Sequence, residues 1–138
     1  MGSRFFLVLA FLSIFATGCG EATPPMAPAR GKVTYKGQPV RFGTVMFQPK
    51  SGQPARGEIQ SDGSFELWTY NEGDGAAVGT HGVRITSYEG QAPTAPGVAQ
   101  REPILGKSLI PPQYANVESS GITAEVKPGA APFQFDLK

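Results

Sequence analysis

The sequence predicts an all-β domain, a two-sheet sandwich of about seven short strands. Three observations predict it. Apolar residues recur at every second position over short runs, which is the period of a half-buried strand. Turns marked by glycine or proline separate these runs at intervals of about 8–12 residues. The composition is turn-dense and weakly charged: 18 glycines and 13 prolines exceed a fifth of the 138 residues, and charged residues are 17%, against roughly 25% in ordinary soluble domains. The alternation is too regular for a disordered chain.

In chain order, Gly31-Lys32-Val33-Thr34-Tyr35 alternates and closes at Lys36-Gly37-Gln38-Pro39. Val40-Arg41-Phe42 resumes, Gly43 interrupts, and Thr44-Val45-Met46-Phe47 follows. Phe42 differs in parity from Val45 and Phe47, so placing all three inward requires a bulge near Gly43. Pro49 to Pro54 is a turn segment. Gly57 to Leu67 reads as a hairpin about Asp62-Gly63, where the glycine supplies positive φ, with Ile59, Phe65 and Leu67 against the core. Continuing the alternation through Trp68-Thr69-Tyr70 turns Trp68 and Tyr70 outward. Asn71 to Gly75 is a loop, and Gly79 to Tyr88 is a long strand with Val83 and Ile85 inside. Residues 89–107 hold three prolines and three glycines without a period; a loop of this length is functional or disordered. Leu109, Ile110 and Tyr114 are expected to pack across an open end of the sandwich. Ser119-Ser120-Gly121 turns into Ile122 to Val126, and Pro128-Gly129 into Phe133 to Leu137. No internal repeat and no helix is expected after residue 18.

The N-terminus gives an address. Arg4 is followed by an apolar run from Phe5 to Ala16, broken only by Ser13. As a helix it would reach about 18 Å, too short for a hydrocarbon core of about 30 Å. A charged start, a short apolar run and small residues make a secretory signal. Its end, Ala16-Thr17-Gly18-Cys19, resembles the lipobox of bacterial lipoproteins. The resemblance implies cleavage after Gly18, a diacylglyceryl group on the Cys19 sulfur and an acylated new amine. Ala16 departs from the commoner leucine. A plain secretory signal is the second reading and an uncleaved anchor the third. Cys19 is the only cysteine, so an exported chain has no internal disulfide and carries a lone thiol unless it is modified. Two or more acyl chains give stable anchoring. Gly20 in place of aspartate favours the outer membrane over the periplasmic face of the inner one, by analogy with other bacteria.

Residues 1–18 are thus the signal, and 19–29 the lipidated cysteine with a proline-containing tether expected to be poorly ordered. Residues 30–138 form the domain. Cleavage removes Arg4, leaving eleven basic against eleven acidic side chains. That balance and the lack of a basic stripe exclude nucleic acid as a partner.

Gly31-Lys32-Val33-Thr34-Tyr35-Lys36-Gly37-Gln38-Pro39-Val40, Gly43-Thr44-Val45 and Ser61-Asp62-Gly63-Ser64-Phe65 together resemble the carboxypeptidase regulatory-like domain, a transthyretin-like (prealbumin-like) sandwich. Gly73-Asp74-Gly75-Ala76, Gly79-Thr80-His81, Ile110-Pro111-Pro112-Gln113-Tyr114 and Ser120-Gly121-Ile122-Thr123 resemble a narrower group, small lipoproteins numerous in planctomycete bacteria. The resemblance implies an exported sandwich without catalytic residues. A ureide hydrolase of transthyretin-like fold needs more than one histidine and a Tyr-Arg-Gly-Ser tail, and this chain ends Phe135-Asp136-Leu137-Lys138.

Candidate chemistry is sparse. His81, the only histidine, begins a strand without a nucleophile elbow and is expected to hydrogen-bond at a loop–strand junction. Asn71-Glu72-Gly73-Asp74 offers three oxygen-bearing side chains, without the spacing of a calcium loop, and is expected to be a solvated turn. No metal and no cofactor is expected. Trp68 and Tyr70 are the candidate ligand contacts, flat apolar surfaces with polar edges that suit a sugar or a partner; the bland alternative is that the 89–107 loop covers them. The first functional reading is a monomeric, non-enzymatic lipoprotein of the cell envelope, with the membrane as partner through its lipid and an envelope protein or polysaccharide as its contact. The second is a carbohydrate- or peptide-binding module using Trp68, Tyr70 and the 89–107 loop; a hydrolase is the third. Labelled palmitate is expected to incorporate into the wild type and not into Cys19→Ser, and label persisting in the variant would refute the lipobox.

Overall fold

The computed structural model describes residues 23–92 and 105–138. The signal segment, Gly18, Cys19 and the centre of the 89–107 loop lie outside the described residues. The strands are β1 (Met26–Ala27), β2 (Arg30–Tyr35), β3 (Gln38–Pro39), β4 (Thr44–Pro49), β5 (Ala55–Glu58), β6 (Ser64–Glu66), β7 (Ala76–Ala77), β8 (Gly79–Thr86), β9 (Thr123–Val126) and β10 (Phe133–Leu137). Three are two-residue pieces, and the other seven match the expected strands. One sheet has the order β10-β2-β3, with β6 also on β2; the second has the order β5-β4-β8-β9; β1 and β7 form a separate ribbon. All pairs are antiparallel except β10 with β2. The architecture is an all-β sandwich.

Alternation decides which side chains fill it. Val33, Val45, Phe47, Val83, Ile85, Phe135 and Leu137 point inward from four strands and are buried together with Ile59, Phe65 and Leu67. Phe47 stands at the centre. Its ring meets those of Phe65, Phe133 and Phe135 edge-on, with centroids at 6.4, 5.1 and 6.0 Å. Phe47 belongs to one sheet and the other three to the opposite one, so this cluster joins the two layers.

The 57–67 hairpin forms, with a feature the sequence does not disclose: its arms belong to different sheets. β5 pairs with β4, whereas β6 pairs with β2. The arms still meet at both ends, through Gln60 N–H to Ser64 C=O at 2.7 Å and a reciprocal Arg56–Trp68 pair at 2.9 Å. Between these, a side chain at Gly57 would strike the Glu66 carbonyl, so the crossing requires glycine. The turn is a three-residue loop, because Gly63 N–H also returns to Gln60 C=O at 2.8 Å. Gly63 takes φ +84°, as a type I turn ending in a bulge demands. Asp62 caps it, accepting from the Ser64 amide at 3.0 Å and its hydroxyl at 2.6 Å.

Three expectations are corrected, and the orientation of Phe42, left conditional on a bulge, is settled. The tether does not extend to Ala29: β1 pairs with β7, Ala27 and Ala29 are buried, and Leu67 N–H donates to Ala29 C=O at 2.8 Å. Small alanines allow this close crossing, so the folded domain starts by Met26 rather than at Arg30. Phe42 is only half-buried; Gly43, at φ +140°, shifts the parity without bringing the ring into the core. Leu109 is 42% exposed, while Ile110 and Tyr114 are buried and the Tyr114 hydroxyl accepts from the Lys138 amide at 3.3 Å. Finally, a 3₁₀ turn (Pro112–Ala115) and a one-turn helix, α1 (Val117–Ser120), occupy a segment expected to hold none. Pro112 fixes φ for the first of these, and Gly121, left-handed at φ 66°, stops the second.

Phe47→Ala should lower unfolding free energy by about 3–5 kcal/mol, a large part of the roughly 5–15 kcal/mol available to a domain. Phe47→Leu should cost much less. Denaturant titration checks both, and a small loss in Phe47→Ala would show that the layers are held elsewhere.

Candidate functional site

The crossing of β5 and β6 has a consequence on the outside of the molecule. It makes the outward faces of β4, β5, β6, β2 and β10 one continuous, curved surface, and a groove of about 1020 Å³ runs along it. The register places its side chains in cross-strand rows. Met46 faces Arg56, and Arg56 faces Trp68. In the next row Thr44 faces Glu58, and Glu66 faces Arg30. In a third Ser64 faces Lys32, which faces Gln134.

Three cations, Arg30, Lys32 and Arg56, and three carboxylates, Glu58, Glu66 and Glu72, therefore share the groove. None of them forms an ion pair: among the described residues the one such contact is Lys127–Glu125 at 3.0 Å, on an exposed surface. The surface thus offers donors and acceptors of both signs without a strong field of either. The Arg56 guanidinium lies 4.3 Å from the centre of the Trp68 ring, a stacked arrangement typical of arginine on indole.

Trp68 is half-buried on the groove and Tyr70 is 46% exposed, so both turn outward as expected. The structure does not bring them together, because Tyr70 is not part of the groove lining. Trp68's ring is also occupied by Arg56. The charged residues around it escape sequence reasoning, since outward polar positions on strands look alike until register aligns them.

The 69–75 loop has a different purpose. Asp74 Oδ1 accepts from the Thr69 amide at 2.7 Å, and Oδ2 accepts from Tyr70 at 2.9 Å and Asn71 at 2.8 Å. The Thr69 hydroxyl donates to Gly75 C=O at 2.9 Å. Asp74 is thus a lock on three successive amides rather than a ligand held out to solvent, while Glu72 lies on the groove. Among the described residues no three metal-ligating side chains cluster.

His81 is 1% exposed. Its Nε2 lies 2.7 Å from Ala77 C=O, so Nε2 carries the proton and ties β8 to β7. Among the described residues Nδ1 is buried without a partner, and the ring packs on Phe47 at 5.8 Å. Among the described residues neither nitrogen meets a hydroxyl or a carboxylate, which a catalytic triad requires.

Partial burial alone would raise the Asp74 pKa; the three amide donors outweigh it and hold the carboxyl below its ordinary 3.8. A folded-state pKa below the unfolded one contributes stability that is present above the ordinary value. It is lost as pH falls through the lowered one. Asp74→Ala should lose this contribution, flattening the acid limb of a stability–pH curve below about pH 4. An unchanged acid limb would refute the lock.

Comparison with known protein families, with curated proteins and with solved structures yields no match for this chain.

Proposed function

We propose that this chain is a non-enzymatic lipoprotein of the cell envelope, anchored through Cys19, whose sandwich serves as an interaction module. The groove is its contact surface. The observation that carries this reading is the set of six charged side chains brought into one groove without ion-pairing to one another. Unpaired charges on a concave face are available to a partner that supplies the complementary groups. The burial of the only histidine, with Nε2 engaged by a backbone carbonyl, supports the absence of catalysis. The resemblance to carboxypeptidase regulatory-like domains points the same way.

A second reading, an envelope polysaccharide or peptide as occupant, draws on Trp68 in the groove. Arg56 already stacks on that ring, so a sugar on the same face would have to displace the guanidinium.

Full-length protein in detergent, bound to whole-envelope fractions, distinguishes them. Arg30→Glu/Arg56→Glu should weaken retention at least about tenfold, equivalent to about 1.4 kcal/mol, with circular dichroism unchanged. Retention unaffected by both reversals would refute the groove as the contact surface. Retention on purified glycan, with a change in Trp68 emission, would favour the second reading.

A further inference from the structure

The chain enters the domain at one end, and the structure fixes which end. Val78 N–H donates to Pro25 C=O at 2.8 Å, directly beside the β1–β7 ribbon. A side chain at Gly75 would strike the Ala27 carbonyl, so the 69–75 loop lies against the same entering segment. Two of the exposed large hydrophobic side chains are at this end: Tyr70, 46% exposed, and Val78, 37% exposed.

Only five residues, Gly20 to Pro24, separate Cys19 from Pro25. Fully extended, that segment reaches about 20 Å. A domain of this length has a radius of gyration of about 13 Å, hence a diameter of roughly 34 Å. For its far pole to face the bilayer, the chain would have to run half-way round the domain, roughly 50 Å on the same dimensions. The reach forbids that. It allows at most a sideways tilt, and exposed apolar area at the attached end favours contact over tilt. Tyrosine, with an apolar ring and a polar edge, suits the headgroup level of a bilayer.

From this geometry we propose that the end of the domain carrying Tyr70 and Val78 rests on the bilayer surface. This inference depends on the acylation of Cys19 proposed above. The groove then opens beside the membrane at its Trp68 end, because Leu67 N–H bonds Ala29 C=O next to the entering strand.

Trp68 is the only tryptophan, and therefore a native probe. The acylated full-length protein is reconstituted in vesicles of phosphatidylethanolamine and phosphatidylglycerol carrying a dansyl headgroup acceptor. Energy transfer from Trp68 is compared with that from Trp68→Phe/Gln38→Trp, whose probe sits on exposed Gln38. The two positions stand about 20 Å apart along β2, so Trp68 should transfer at least about threefold more efficiently. Tyr70→Ser/Val78→Ser should narrow the ratio to below about twofold by removing the interfacial contact. A ratio unchanged in that variant would overturn the contact. Equal transfer from both probes, with the protein retained on vesicles, would overturn the orientation alone. Wild-type protein that is not retained would refute the anchor and the orientation with it.

Discussion

The packing of Phe47 across the sandwich is the interaction on which the other features rest. A sheet hydrophobic on one face must bury that face against another layer, and here a cluster of phenylalanine rings crosses between the layers among the buried valines, isoleucines and leucines. Phe133 and Phe135, two residues apart on β10, present parallel rings at 6.0 Å, and Phe65 stacks on Phe135 at 5.9 Å. Phe47 meets all three edge-on, the arrangement that aromatic quadrupoles favour over face-to-face stacking. With no cysteine besides Cys19, no internal disulfide can share the task. The layers are held by shape and apolar area.

Joining two layers around one ring cluster leaves their outer faces to be placed, and the β5–β6 crossing places them. Because the arms pair with different sheets yet meet at both ends, the chain passes from one layer to the other without a gap in the surface. Gly57 permits this, since only a residue without a side chain fits against the Glu66 carbonyl. The groove is thus a by-product of how the sandwich closes on one side. Its residues come from strands far apart in sequence: Lys32 and Gln134 are neighbours across the β2–β10 pair.

This explains what could be read from the sequence. Which residues face inward was legible at Val33, Val45, Phe47, Phe65, Val83 and Leu137, because a period of two is local and survives any topology. The turns at Lys36-Gly37 and Asp62-Gly63 were legible because backbone sterics select their residues. The groove was not, since Arg56, Glu66 and Arg30 gain meaning only from pairing register, which no short window contains. Asp74 read as part of a solvated turn, because its three partners are backbone amides, invisible in a sequence. The β1 strap was missed for a related reason: Met26-Ala27 is too short to show a period, and prolines on either side suggest an extended tether. Leu109 shows the opposite failure, an apolar residue expected to pack across the open end that stands 42% exposed.

The strap changes how an anchored domain would bear load. A pull applied through the proposed acyl anchor at Cys19 does not act on a loose linker ending at Arg30. It acts first on the two-residue β1–β7 ribbon and its flanking bonds, Pro25 C=O with Val78 and Ala29 C=O with Leu67. Behind that ribbon stands His81, whose Nε2–H bond to Ala77 couples β7 to β8, and whose ring rests on Phe47. The ribbon alone is far below the three or more strands that independent stability requires, so it persists only because buried Ala27, Ala29 and Ala76 attach it to the core. The N-terminal attachment and the aromatic cluster are therefore parts of one mechanical path, running from the chain's entry to the centre of the sandwich.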